Sequence, residues 1–180
     1  GDISFSSTID NGQALTLDSG TGDVTLSGNV GATTDLTSLT ITGTNITQSG
    51  TVETTGNVAY TGTTSLGGNV TTTTSGTFTQ TGAATLGAAV TIDTSAGNQD
   101  ISFSSTIDNA QALTLDAGTG DVTLTGNVGA TTDLTSLTVT GATITQTGTV
   151  ETTGAVAYTG STLTRINANV TTTTSGAFTV

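Results

Sequence analysis

Apolar residues along this chain come in pairs two positions apart, split by one small or polar residue: Ile3 and Phe5, Leu15 and Leu17, Val24 and Leu26, Leu39 and Ile41, Val58 and Tyr60. Alternation of period two over so short a span predicts strands with one face buried and the other in water. Lone apolar residues follow at a fixed distance: Ile9, Val30, Val70, Val90, Ile107, Val128 and Val170 each stand four residues beyond the second apolar position of a segment. Segments this short cannot bury an apolar face unaided. Stacked on one another in a common register, they can.

The pattern itself repeats. Residues 2–62 return as residues 100–160, an offset of 98, with eight differences, all mild, such as Ile41 for Val139 and Asn45 for Thr143. Within the long repeat, cuts at recurrent Thr-Gly and Asp positions give coils 2–22, 23–43, 44–62, 63–82 and 83–99. The second array supplies 100–120, 121–141, 142–160 and 161–180. The expected architecture is one all-β segment over 1–180, a right-handed parallel β-helix (a solenoid). It has about nine coils of 17–21 residues in two super-repeats, 2–99 and an incomplete 100–180. Handedness follows the crossover preference of parallel strands. At about 4.8 Å per coil the rod is roughly 40 Å long.

Three details refine this reading. Gly22, Gly43, Gly62 and Gly82 close successive coils, a use that tolerance of positive φ explains. The fifth coil, 83–99, lacks a clear third apolar segment and reads as a trimmed corner. The ninth is two residues longer than the fourth between Gly160 and Asn169, which reads as a bulge or corner loop carrying Arg165. The two arrays are expected to superpose at an offset of 98 up to Gly160 and of 100 from Asn169, with Ile3 and Ile101 on the same face.

Composition changes the picture in one respect. Thr and Gly dominate, aromatics make up 3%, and Pro, Cys, Met, Trp, His and Lys are missing. So few large apolar residues leave disorder open on composition alone. A register kept through successive coils argues against it. The net charge of −12, with one Arg, excludes nucleic acid as a partner, because phosphate binding needs clustered cations. Anionic membrane surfaces are disfavoured on the same ground, and no apolar run is long enough to insert into a bilayer.

Candidate chemistry is sparse. Asp2, Asp23, Asp100 and Asp121 each precede an inward apolar residue and should face solvent. Stacking Asp2 over Asp23, and Asp100 over Asp121, makes candidate Ca²⁺ ligands, while a solvated acidic strip is the plainer reading. The same pairs could be an acid and base for glycoside cleavage, but with no Lys or His no enzyme is expected, and no cofactor apart from weakly bound Ca²⁺. The Thr runs 71–74 and 171–174 invite comparison with ice-binding β-solenoids, which present flat Thr ladders. Here the runs fall in corners, interrupted by Gly, Glu53 and Asp35, so a generic polar surface is expected. Asn45, Asn69 and Asn169 open N-glycosylation acceptor triplets.

Runs such as Leu15-Thr16-Leu17-Asp18-Ser19-Gly20-Thr21-Gly22-Asp23-Val24-Thr25-Leu26 and Leu137-Thr138-Val139-Thr140-Gly141 resemble the repeats of large bacterial surface proteins. These are the filamentous haemagglutinin-type exoproteins and related β-strand-repeat adhesins. The resemblance covers essentially the whole chain, though the amino-terminal secretion domain of two-partner secreted members is not in this stretch. It implies an extracellular or cell-surface β-helical rod acting as stalk, fibre or adhesin shaft, and it carries over no functional residue. Expected partners are further coils of the same protein or identical subunits stacked end to end, and host or surface glycans. A carbohydrate- or ice-binding surface is the alternative function.

Overall fold

A computed structural model describes residues 1–180. The protein is all β, without a helix, its parallel strands stacked about 21 residues apart in a solenoid of about eight turns. Each turn lays down three segments, so the rod has three faces. On the first face Ile3, Val24, Ile46, Thr64, Ala84, Ile107, Val128, Val150 and Val170 stack in that order. On the second the order is Ile9, Val30, Val52, Val70, Ile92, Leu115, Val139 and Tyr158. On the third it is Leu15, Leu39, Val58, Phe78, Ile101, Val122, Ile144 and Thr164.

Backbone hydrogen bonds run from turn to turn along the rod. The Ile3 N–H donates to the Asp23 carbonyl at 2.9 Å, and the Ile101 N–H donates to the Asp121 carbonyl at 2.9 Å. A strand with two neighbours satisfies its main chain on both sides, which the short alternating segments cannot do alone. The bonds also lock the register that stacks apolar on apolar. Val24, Leu26, Ile101, Phe103, Val122 and Leu124 are buried, as the alternation predicts, while Ile3 and Phe5 in the first turn are half-buried against the same core. Aromatic rings gather in the middle of the rod: Tyr60 meets Phe78 edge-on at 5.8 Å, and Phe78 lies 5.3 Å from Phe103.

The expected superposition of the two arrays does not hold. Ile3 lies on the first face with Val24, whereas Ile101, its copy, lies on the third between Phe78 and Val122. Likewise Ile9 is on the second face and its copy Ile107 on the first, stacked between Ala84 and Val128. The segment 83–99 explains the difference. It is not a coil with a trimmed corner but two faces, Ala84–Leu86 and Val90–Asp93, and the third face of that turn is supplied by Ile101–Phe103. At about 21 residues per turn, 98 residues carry the chain through four turns and two further faces. Each repeat is therefore rotated by two-thirds of a turn against the one before. Neighbouring pairs keep their register (Ile3 on Val24, Ile101 on Val122), while the face changes.

The longer ninth coil has the expected irregularity, but it lies between Gly160 and Leu163 and does not carry Arg165, which stands in the regular strand that follows. Gly141 pairs with Gly160 and Thr143 with Leu163, so the two extra residues sit in an irregularity and Arg165 continues the third face beside Thr145.

Of the four coil-closing glycines only Gly62 has a positive φ, +148°. The others are required for a different reason. Gly82 lies so close to the turn below that a Cβ would run into the Gly62 carbonyl, and Gly62 is placed the same way over Gly43. Glycine here sets how closely turns approach at a corner. Gly87→Ala adds a Cβ whose nearest neighbour is 3.5 Å away, and should be neutral or stabilising by up to about 1 kcal/mol. Gly82→Ala should destabilise by more than that, and the ordering of the two melting temperatures checks it.

Val24 is fully buried and Thr25 beside it is not. Val24→Asp places an unpaired charge in the core and is expected to cost several kcal/mol even after relaxation. Thr25→Asp should cost far less, and equal effects on thermal unfolding would contradict the inward assignment.

Candidate functional site

The corners come first, because the four aspartates lie there. Asp2 and Asp23 stack at the corner before the first face, and Asp100 and Asp121 at the corner before the third, so the pairs stand at different corners of the rod. All four are exposed. In each pair a carboxylate oxygen faces the backbone of the next turn: Asp2 Oδ1 accepts the Asp23 N–H at 3.0 Å, and Asp100 Oδ1 accepts the Asp121 N–H at 2.8 Å. Asp23 Oδ1 continues the ladder to the Asn45 N–H and side-chain amide, and Asp121 Oδ1 to the Thr143 N–H. Asn29, Asn57, Asn69 and Asn127 do the same for Thr51, Thr77, Thr91 and Thr149. Aspartate and asparagine at these positions thus act as acceptors for backbone amides at the corners. No group of three or more acidic side chains converges anywhere on the molecule.

Asp10 carries this role furthest. Its Oδ1 accepts both the Thr33 N–H (2.9 Å) and the Thr34 N–H (3.3 Å), which hold its carboxyl below the usual aspartate value. Asp108 makes the same two bonds to Thr131 and Thr132. The Thr33-Thr34 segment is therefore spent on a turn, and Thr73 of the run 71–74 donates to the Asp35 carboxylate. Thr72 points inward and donates to the Gly76 carbonyl at 2.7 Å. Thr71 and Thr72 lie in a strand of the second face, Val70–Thr72, rather than in a corner as expected, and Thr71 stacks between Glu53 and Asp93, so the run forms no uninterrupted Thr ladder.

The interior also holds polar residues, which the apolar pattern of the sequence does not single out. Gln48, Gln80 and Gln146 are buried. Each donates its amide to two carbonyls, one two residues on and one in an adjoining turn: Gln48 to Gly50 and Gly68, Gln80 to Gly82 and Gly62, Gln146 to Gly148 and Ala168. Tyr60 donates its hydroxyl to Gln48 Oε1 at 3.0 Å, and Tyr158 to Gln146 Oε1 at 2.8 Å. Burial pushes both phenols up, so they stay protonated donors. Gln80 has no such tyrosine, and its Oε1 is buried without a partner. These are structural contacts, and the molecule contains no pocket that would admit a small substrate to them.

What remains is the outer surface. Outward residues on the third face form two ladders flanking the inward second position of each strand. The first runs Thr16, Thr40, Ala59, Thr79, Ser102, Thr123 and Thr145 before reaching Arg165. The second lies two residues further along each strand: Asp18, Thr42 and Thr61, then Thr81, Ser104, Thr125 and Thr147. The second face is broken by Glu53, Asp93 and Asp116, and the first becomes acidic at Asp108 and Glu151. The sequence signal for these ladders is Thr-x-Thr within the strands rather than the Thr runs. It was hidden because successive rungs come from non-equivalent positions of the two repeats.

No family model, no curated protein and no solved structure matches the chain.

The Asp10 contacts have a pH signature. A carboxyl held below its unfolded value of 3.8 contributes stability that is fully present above that value and is lost as pH falls through the folded one. Asp10→Asn keeps an acceptor but no charge. Wild type should melt above Asp10→Asn at neutral pH, with the gap narrowing as pH falls below 3.8 and through the lowered folded value. A gap independent of pH would contradict the assignment.

Proposed function

We propose that this chain is a length of structural rod, the non-catalytic shaft of an extracellular bacterial fibre, stalk or adhesin. The observation that carries the reading is the passage of core and hydrogen-bond ladders straight through the repeat boundary. Phe78, Ile101 and Val122 stack without a break although they belong to different repeats. A fold that accepts the next repeat on whichever face comes up is suited to indefinite lengthening, which is what a shaft needs. The similarity of its coils to those of large surface exoproteins supports the extracellular setting. In this reading its neighbours are further turns of the same protein or identical subunits stacked end to end, and glycans are ligands for whatever the shaft carries outward. Ca²⁺ held by Asp2 with Asp23, or Asp100 with Asp121, is compatible with such a shaft but not required by it.

Growth in one dimension tests the proposal. Adding one more 98-residue repeat should lengthen the particle by about 22 Å, at about 4.8 Å per turn, with no change in cross-section. Small-angle scattering or electron microscopy reads both dimensions. A thicker particle, or a string of separate beads, would refute the rod.

A further inference from the structure

Charge is sorted unevenly over the three faces of a chain carrying thirteen acidic residues. Between the turn containing Asp18 and the turn containing Arg165, the two outward ladders of the third face hold no charged residue. Every one of their positions from Thr40 to Thr147 is Thr or Ser except Ala59. All are at least partly exposed. This uniformity is not inherited from the repeat. Ser102 and Ser104 continue the third face, while their copies Ser4 and Ser6 stand on the first. The two-thirds rotation brings different parts of the repeat together into one unbroken surface.

The hydroxyls of these ladders are also unspent. Elsewhere Thr37, Thr44 and Thr135 donate to backbone carbonyls and Thr73 to a carboxylate; the ladder hydroxyls make no hydrogen bond within the chain. They sit on β-branched side chains for the most part, whose χ1 is stiff; the first ladder lies within the strands, while the second lies within them at Thr42 and Thr61 and one residue past their ends at Thr81, Ser104, Thr125 and Thr147. The result is a regular array of hydroxyl and methyl groups, spaced about 4.8 Å along the rod and about 6.7 Å across it. Asp18 ends the second ladder beside Thr42, and Asp100 and Asp121 stand at the edge of the face, two residues before Ser102 and Thr123, each with an oxygen turned along the axis to a backbone N–H.

We propose that the third face binds an ordered water lattice, the surface of ice. An uncharged array holds no tightly oriented hydration shell of its own to be displaced, and its hydroxyls can take places in a lattice while the methyl groups fill the spaces between. A neutral polysaccharide is the competing ligand, and the surface suits it less well. Sugar rings dock on exposed aromatics or in concave sites; here Tyr60, Tyr158, Phe78 and Phe103 are buried and there is no pocket.

Ice recrystallisation in the presence of the whole chain, with adsorption of labelled chain to a single ice crystal, tests the proposal. Thr81→Lys, Ser104→Lys and Thr125→Lys place a charge at exposed rungs of the third face. Ser27→Lys and Ser49→Lys place the same charge at exposed positions on the first, and melting temperatures show that all five fold. Wild type and the first-face variants should suppress recrystallisation and coat the crystal, and the third-face variants should lose both effects. Ala59→Thr, which completes the ladder, should strengthen them. Absence of activity in wild type, or equal loss from first-face variants, overturns the proposal. So does retention on insoluble neutral polysaccharide that third-face charges abolish while ice is left unaffected, which would assign the face to a glycan.

Discussion

Everything in this molecule depends on the hydrogen bond from one turn's backbone to the next. A segment of three residues has almost no apolar area to bury and leaves its amides open; only a neighbour directly above and below completes it. Because those bonds are evenly spaced and parallel, they admit a single register, and like positions are forced into columns. The columns of Val, Ile, Leu and Phe make the core. The same constraint makes the columns of glycine, since at corner positions such as Gly62 and Gly82 a side chain would meet the carbonyl of the turn below. It also turns the corner Asp and Asn residues into acceptors, catching amides where the chain bends out of the ladder.

The interior is not uniformly apolar, and its polar members have distinct energetic positions. A buried glutamine with all its groups paired ties adjoining turns together; one with an orphaned oxygen carries the desolvation cost of that atom. Gln48 and Gln146 belong to the first kind because a tyrosine twelve residues on reaches them across the core. Gln80 belongs to the second. In its column it stands between Tyr60, whose hydroxyl is already given to Gln48, and Phe103, which has nothing to give.

Much of the architecture was legible in the residues. The pairs Val24/Leu26 and Val122/Leu124 declare their inward positions by alternation alone, and the stacking of coils follows from their shortness. The face on which a copy lands was not legible. Nothing in Asp100-Ile101-Ser102-Phe103 differs from Asp2-Ile3-Ser4-Phe5; the difference lies in how many corners the chain has turned between them. The segment 83–99 held the clue, in its lack of a third apolar pair. The hydroxyl face was lost for the same reason, since its rungs are neighbours only once the rotation is known. The aspartates were placed outward correctly, yet their acceptor bonds depend on an inter-turn register that a local pattern does not contain.

The mismatch between repeat and turn works like a vernier. One face occupies about seven residues, a third of the 21-residue turn, and any strand with an alternating pair fits any face. Gain or loss of one face-length would leave core and ladders intact, yet it would swing every downstream feature a third of the way round the rod. Such a change is silent for folding and loud for display. Duplication, the process that makes long proteins of this kind, can therefore redistribute surface chemistry around the axis without altering a single side chain, and three consecutive copies of the 98-residue unit would bring the first orientation back.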